Sequence, residues 1–152
     1  MVNALAYRLL GRDDELDDLV QESFVDALGS LASLREPQAF AAWMAAIVVG
    51  RTAKLLRRRK LMGRLGLRRP MDPIDVDALV SSTAPPDEAA ELRAVYRLVD
   101  ALPTDVRIAL VLRRVEGHSL EEIASLTGMS LATVKRKIAA GDVALHDAGG
   151  AR

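Results

Sequence analysis

The segment Ser119 to Ile138, SLEEIASLTGMSLATVKRKI, constrains the fold more than any other part of the chain. Ser119 and Glu122 have the spacing of a capping box. In that motif the Ser oxygen accepts from a backbone N–H, and the Glu side chain reaches back to the start of the helix. A short helix, Leu120 to Leu126, is expected, and Gly128 can take the left-handed conformation that ends it. Met129 fills the turn, and Ser130 can cap a second helix running to about Leu145. A short helix, a tight glycine turn and a longer helix make a helix-turn-helix. Ile123, Ala124, Leu126, Val134 and Ile138 fall where the two helices face each other. Leu131, Thr133, Lys135, Arg136 and Lys137 project from the second helix, the kind that enters a DNA major groove N-terminus first. The plainer alternative is a structural helix pair without a ligand.

The rest of the chain also has helical spacing. Half of its residues are hydrophobic but only 3% are aromatic, which favours a Leu/Val/Ile/Ala core and helices over sheets. Residues 2 to 10 predict a helix ended by Gly11. From Asp14 to about Leu31, an apolar stripe holds Leu16, Leu19, Val20, Phe24, Ala27, Leu28 and Leu31. Pro37 suits the first position of a helix extending to about Lys60. Its expected buried residues include Phe40, Trp43, Met44, Ile47 and Leu55. Gly50 weakens it by about 1 kcal/mol relative to Ala. Proline, glycine and serine between Leu61 and Pro86 give a linker composition. Helical spacing resumes from Asp87 to Leu102 and, after Pro103, from Asp105 to Val115. The fold class is therefore all-α: two small helical domains, 1–60 and 87–147, joined by a flexible linker, 61–86, with a tail, 148–152. Units this small are individually marginal, and each depends on a partner or on the other.

Charge is segregated along the chain although it sums to zero, 21 bases against 21 acids. Residues 51–69 hold nine Lys or Arg and no acid, whereas residues 72–91 hold six acids and no base. Arg51, Lys54 and Arg58 recur at spacings of three and four, so they share one helix face. Like charges on one face call for a polyanion, and phosphate contacts with counterion release supply one. Arg57 joins Arg58 in that basic run. A solvated face, a membrane surface or a protein contact are the rival readings.

Catalysis finds little footing. His118 and His146 lie far apart, no catalytic or metal-binding cluster is evident, and no cofactor or small-molecule substrate is expected. Cysteine is absent, which removes thiolate metal sites and disulfides and permits a cytoplasmic address. Ala39–Gly50, AFAAWMAAIVVG, is too short to span a membrane, so no insertion is expected. The N-terminal residues lack the features of a signal peptide.

Several of these segments resemble bacterial RNA polymerase sigma factors. DDELDDLVQESF, FAAWMAAI and LLRRRK are similar to their second domain. LVDALPTDVRIALVLRRVEGHSLEEIASLTGMSLATVKRKI is similar to their fourth. The two domains with only a linker between them resemble the extracytoplasmic-function (ECF) group. The resemblance implies a cytoplasmic bacterial factor that brings core RNA polymerase to promoter DNA, with an anti-sigma factor as a further partner. It implies that Asp18, Gln21 and Glu22 dock on the polymerase clamp helices. Arg35, Arg51, Lys54, Arg57 and Arg58 would serve the −10 side of the promoter. Ser130, Thr133, Lys135, Arg136 and Lys137 would serve the −35 element. The acidic residues Asp72, Asp75, Asp77 and Asp87 would thread the polymerase channels. The chain departs from the family where the DNA-melting helix commonly carries aromatic, Arg and Asn residues; here stand Ala45, Ala46, Val49 and Gly50. The alternative is a degenerate sigma-like or helix-turn-helix regulator that binds DNA or a protein without supporting initiation.

Overall fold

The computed structural model describes residues 1–11, 14–67 and 98–150, with side chains as far as Asp147. Among the described residues, all the regular elements are helical. They are α1 (Val2–Leu10), α2 (Leu16–Ser30), two 3₁₀ turns (Leu31–Ser33 and Pro37–Ala39), α3 (Phe40–Arg64), α4 (Thr104–Arg114), α5 (Leu120–Thr127) and α6 (Leu131–Gly150). The expected linker acids, and the helix expected from Asp87, fall largely outside the described residues. Residues 98–101 are helical.

Each helix follows from its apolar spacing. In α1, Val2, Leu5, Ala6, Leu9 and Leu10 form the buried stripe, and Gly11 ends the helix at φ 83° with its N–H donating to Tyr7 O. α3 is longer than expected, running to Arg64, and Pro37 opens the 3₁₀ turn before it rather than the α-helix itself. Gly50 does not interrupt it. By length and composition α3 could cross a membrane. Here its apolar residues Met44, Val48, Val49 and Leu56 belong to the core.

The two units share that core. α3 packs on α1 and α2 on one side and on α4 and α5 on the other, while α6 packs on α4. One cluster joins Leu9, Met44, Val48 and Val49 to Ile108, Leu112, Ile123 and Val134. Small residues on α3 permit the close approach, since Ala45 and Ala53 are buried with Val49 between them. Gly141 does the same for α6: a Cβ there would lie 3.1 Å from a Leu110 methyl. Arg107 locks the junction. It is 5% exposed, and its Nε and Nη2 donate to the carbonyls of Leu9 and Leu10 at 3.0 and 3.1 Å. A cation thus caps the α1 C-terminus, where the helix leaves carbonyls without intrahelical partners. Arg107 also pairs with Asp100, which compensates its buried charge.

The apolar stripe expected on α2 is only partly buried. Leu19, Ser23 and Ala27 face inward. Phe24, Val25, Leu28 and Leu31 are exposed, Leu28 by 75%. Phe40, expected in the core, is 45% exposed. The neighbouring helices meet α2 along the narrow line of Leu19, Ser23 and Ala27 and leave Phe24, Val25, Leu28 and Leu31 in solvent.

Candidate polymerase and nucleic-acid interfaces

The helix-turn-helix is built by its own backbone chemistry. Ser119 Oγ accepts from the Glu122 N–H at 3.1 Å, and Glu122 Oε2 accepts from the Ser119 N–H at 2.7 Å. The Ser119 donors hold the Glu122 carboxyl below its usual range, with His118 adding to the effect. Gly128 adopts φ 70°, the left-handed conformation that ends α5. Ser130 Oγ accepts from the Thr133 N–H at 3.2 Å and donates to Thr133 Oγ1 at 2.9 Å. Arg136 also donates to Thr133 Oγ1, at 3.3 Å. Ile123, Leu126, Val134 and Ile138 are buried between and beneath the helices. Along α6, Lys135 and Arg136 point to solvent. Lys137 instead turns toward α4, with Nζ 4.0 Å from Asp105 Oδ2.

The basic face of α3 is less available than its composition suggests. Arg51 donates to Glu22 Oε2 at 2.7 Å and pairs in bidentate fashion with Asp26, both on α2. That contact holds the Asp26 carboxyl below its usual range and raises the Arg51 guanidinium further. Arg57 donates to Asp105 Oδ1 at 2.7 Å. Arg59, outside the expected set, is buried and donates to Glu15 at 2.9 Å. Lys60 donates to Leu102 O, and burial, with the Arg107 and Arg64 charges, pushes its ammonium below the usual range. Lys54 and Arg58 are exposed and make no ion pair among the described residues. Arg35 is exposed in the loop between the two 3₁₀ turns.

On α2, Asp18, Gln21 and Glu22 are exposed together. Phe24, Val25 and Leu28 follow Gln21 at i+3, i+4 and i+7, so the polar face runs into an apolar one. The helical spacing puts Phe24 and Leu28 on the apolar stripe of α2, while Val25 falls outside it. Periodicity marks residues that share a face but not what covers it. Phe40 and Trp43 form a tilted ring pair with centroids 5.9 Å apart. His118 lies half-buried, with Nδ1 3.6 Å from Glu122, and among the described residues no His/Asp/Glu cluster could hold a metal.

Comparison with known proteins assigns both units. Residues 1–61 match the model of sigma-70 region 2, and residues 92–141 match sigma-70 region 4. The chain belongs to the ECF sigma factors. It is 33% identical over 153 residues to the ECF RNA polymerase sigma factor SigE of Mycolicibacterium smegmatis, matching 96% of this chain. It spans 56% of the length of that relative. It is also 33% identical to the ECF RNA polymerase sigma-E factor of Salmonella typhimurium, over 82% of this chain and 68% of that protein. Two solved folds are similar. The sigma factor RpoE in complex with the anti-sigma factor NepR, from Bartonella quintana, gives a TM-score of 0.69 at 21% identity, over 99% of this chain and 91% of that one. CnrH in complex with the cytosolic domain of CnrY gives 0.62 at 26%, over 96% and 79%. The bidentate pairing of Arg51 with Asp26 ties the basic face of α3 to the helix carrying DDLVQE.

Proposed function

We propose that this chain is a promoter-specificity factor that brings core RNA polymerase to selected promoters and performs no chemistry of its own. The observation that carries the reading is the presence, in one chain, of a region 2 unit with an exposed DDLVQE face and a region 4 unit with a capped helix-turn-helix. Asp18, Gln21 and Glu22 form the polar half of the polymerase contact, and the exposed Phe24, Val25 and Leu28 form its apolar half. Apolar anchors beside polar groups are the usual makeup of a binding hot spot.

Promoter contacts divide by chemistry. Lys54, Arg57, Arg58 and Arg35 hold phosphates on the −10 side, and Arg51 supports them through α2. Phosphate contacts position the protein, and base contacts select the sequence. Lys135, Arg136 and Lys137 approach the −35 duplex, with Ser130 and Thr133 fixing the start of their helix. Phe40 and Trp43 offer rings on which an unpaired base can stack. The domain division is 1–60 and 87–147 about the 61–86 linker, and the protein works in the bacterial cytoplasm, where an anti-sigma factor is a further partner. Run-off transcription with core polymerase on a library of promoter fragments tests the proposal. Transcripts that depend on the added chain are expected, and their absence from every fragment would sink it.

A further inference from the structure

We infer that the protein binds a small phosphate ester in a cavity between the end of α3 and the start of α4, where Thr104 and Lys60 receive the phosphate. The site is separate from the promoter contacts proposed above. The cavity has a volume of about 240 Å³, and side chains from both elements line it. Thr104, the first residue of α4, is one of them and is only 6% exposed. Among the described residues, its Oγ1 is the buried side-chain polar atom that lacks a hydrogen-bond partner. A buried hydroxyl without a partner carries its full desolvation cost, which an oxygen of a ligand removes.

The start of α4 adds donors of its own. Pro103 stands at its N-cap and supplies no side-chain cap. The first N–H groups of a helix have no intrahelical acceptor, and the dipole there favours negative charge. Thr104 lies in that first turn, so an oxyanion that meets its hydroxyl also meets the positive end of α4. The cavity wall supplies the full charges. Among the described residues, Arg59, Lys60 and Arg107 line it against one carboxylate, Asp100. Arg59 pairs with Glu15, and Arg107 with Asp100. Arg107 also donates to the Leu9 and Leu10 carbonyls, so it contributes charge rather than a spare donor. Lys60 differs from both. Its ammonium donates to the Leu102 carbonyl, a neutral acceptor, and makes no ion pair among the described residues. Burial, then the charges of Arg107 and Arg64, lowers that ammonium below its usual range. A bound dianion offsets the repulsion among these cations.

The rest of the wall sets the class of ligand. Leu56 and Leu102 give the cavity an apolar side. Sites for drug-sized ligands run to about 300–1,000 Å³; this one is smaller, so a single small apolar group beside the anion fills it. A carboxylate offers two oxygens in one plane. A phosphate monoester offers three acceptor oxygens, which suits a hydroxyl, an ammonium and a helix N-terminus that approach from different elements.

Calorimetric titration of the full chain with phenyl phosphate, with ionic strength held constant by sodium chloride, tests the site. Wild type should take up one saturable equivalent, and its melting temperature should rise with ligand concentration as mass action requires. Thr104→Val removes the hydroxyl and keeps the shape. Because that hydroxyl has no partner, the variant should melt at or above the wild-type temperature without ligand, yet bind phenyl phosphate about fivefold more weakly. Lys60→Met keeps the stem, removes the charge and should weaken binding about tenfold. Arg113→Ala removes an exposed base of α4 that does not line the cavity, and should leave binding unchanged. Absence of a saturable equivalent in wild type would overturn the inference. So would wild-type affinity in both Thr104→Val and Lys60→Met, or an equal loss in Arg113→Ala, since the anion would then sit on the basic surface. Benzoate is expected to bind more weakly than phenyl phosphate, and equal affinity would overturn the assignment to a phosphate ester.

Discussion

On α6, Lys135 and Arg136 stand exposed beyond a backbone cap made by Ser130. On α3, Arg51, Arg57 and Arg59 each end on a carboxylate from another part of the chain. The two helices are similarly basic, but their charge is differently available. The helix-turn-helix takes its geometry from residues three or four apart, so its cations are placed by local rules. The cations of α3 are claimed by partners 25, 44 and 48 residues away. A run of bases in a sequence therefore overstates the charge that a polyanion meets. In this molecule much of that run organises the fold before it can touch DNA.

The largest test of the contrast concerns Arg107, which joins the two units. Arg107→Ala leaves the Leu9 and Leu10 carbonyls and Asp100 without their buried cation. Breaking a buried pair costs about 3–5 kcal/mol. Urea denaturation should show a loss of that size, whereas a change below about 1 kcal/mol would mean the seam does not need its cap. The next test is the salt dependence of promoter binding by the polymerase-bound chain. Lys135→Ala with Arg136→Ala should flatten the slope by about two units, and Arg58→Ala by about one. Arg57→Ala should flatten the slope by less than Arg58→Ala does, because Asp105 already holds the Arg57 guanidinium. An equal effect of the two would place Arg57 on DNA despite that pair.

Smaller effects probe the local side of the comparison. Ser119→Ala removes one half of the capping box and should cost about 1 kcal/mol of stability, measured by thermal melting. A neutral result would make the helix-turn-helix depend on the core rather than on its caps. The smallest effect is pH-dependent. Arg51 holds the Asp26 carboxyl below its ordinary value, so the folded state keeps Asp26 ionised more readily than the unfolded chain does. The resulting stabilisation is present above the unfolded carboxylate value of about 3.9 and is lost as pH falls through the folded one. Melting temperature against pH should therefore decline more steeply below about pH 4 in wild type than in Asp26→Asn. Parallel curves would show that the pair is fully solvated.

The same contrast explains what was legible beforehand. The helix-turn-helix, its capping box, the left-handed Gly128 and the helices around it could be read directly, because each is specified within one or two turns. The outward placement of Phe24, Leu28 and Phe40 could not, since a helical repeat groups residues onto a face without naming its cover. Nor could the inward turn of Lys137, which follows from where α4 brings Asp105. Ala45 and Val49 stood out as departures from the melting helix. Their burial shows a physical use for small and aliphatic side chains there: they let the second unit approach α3.

The central claim is that the α2 face binds core RNA polymerase. Equilibrium binding of labelled full chain to core enzyme tests it most directly, comparing wild type with Gln21→Ala/Glu22→Ala. Saturable binding by wild type and a loss of about tenfold or more in the double variant are predicted, at 1.4 kcal/mol per tenfold. No binding by wild type, or equal binding by both, would contradict it.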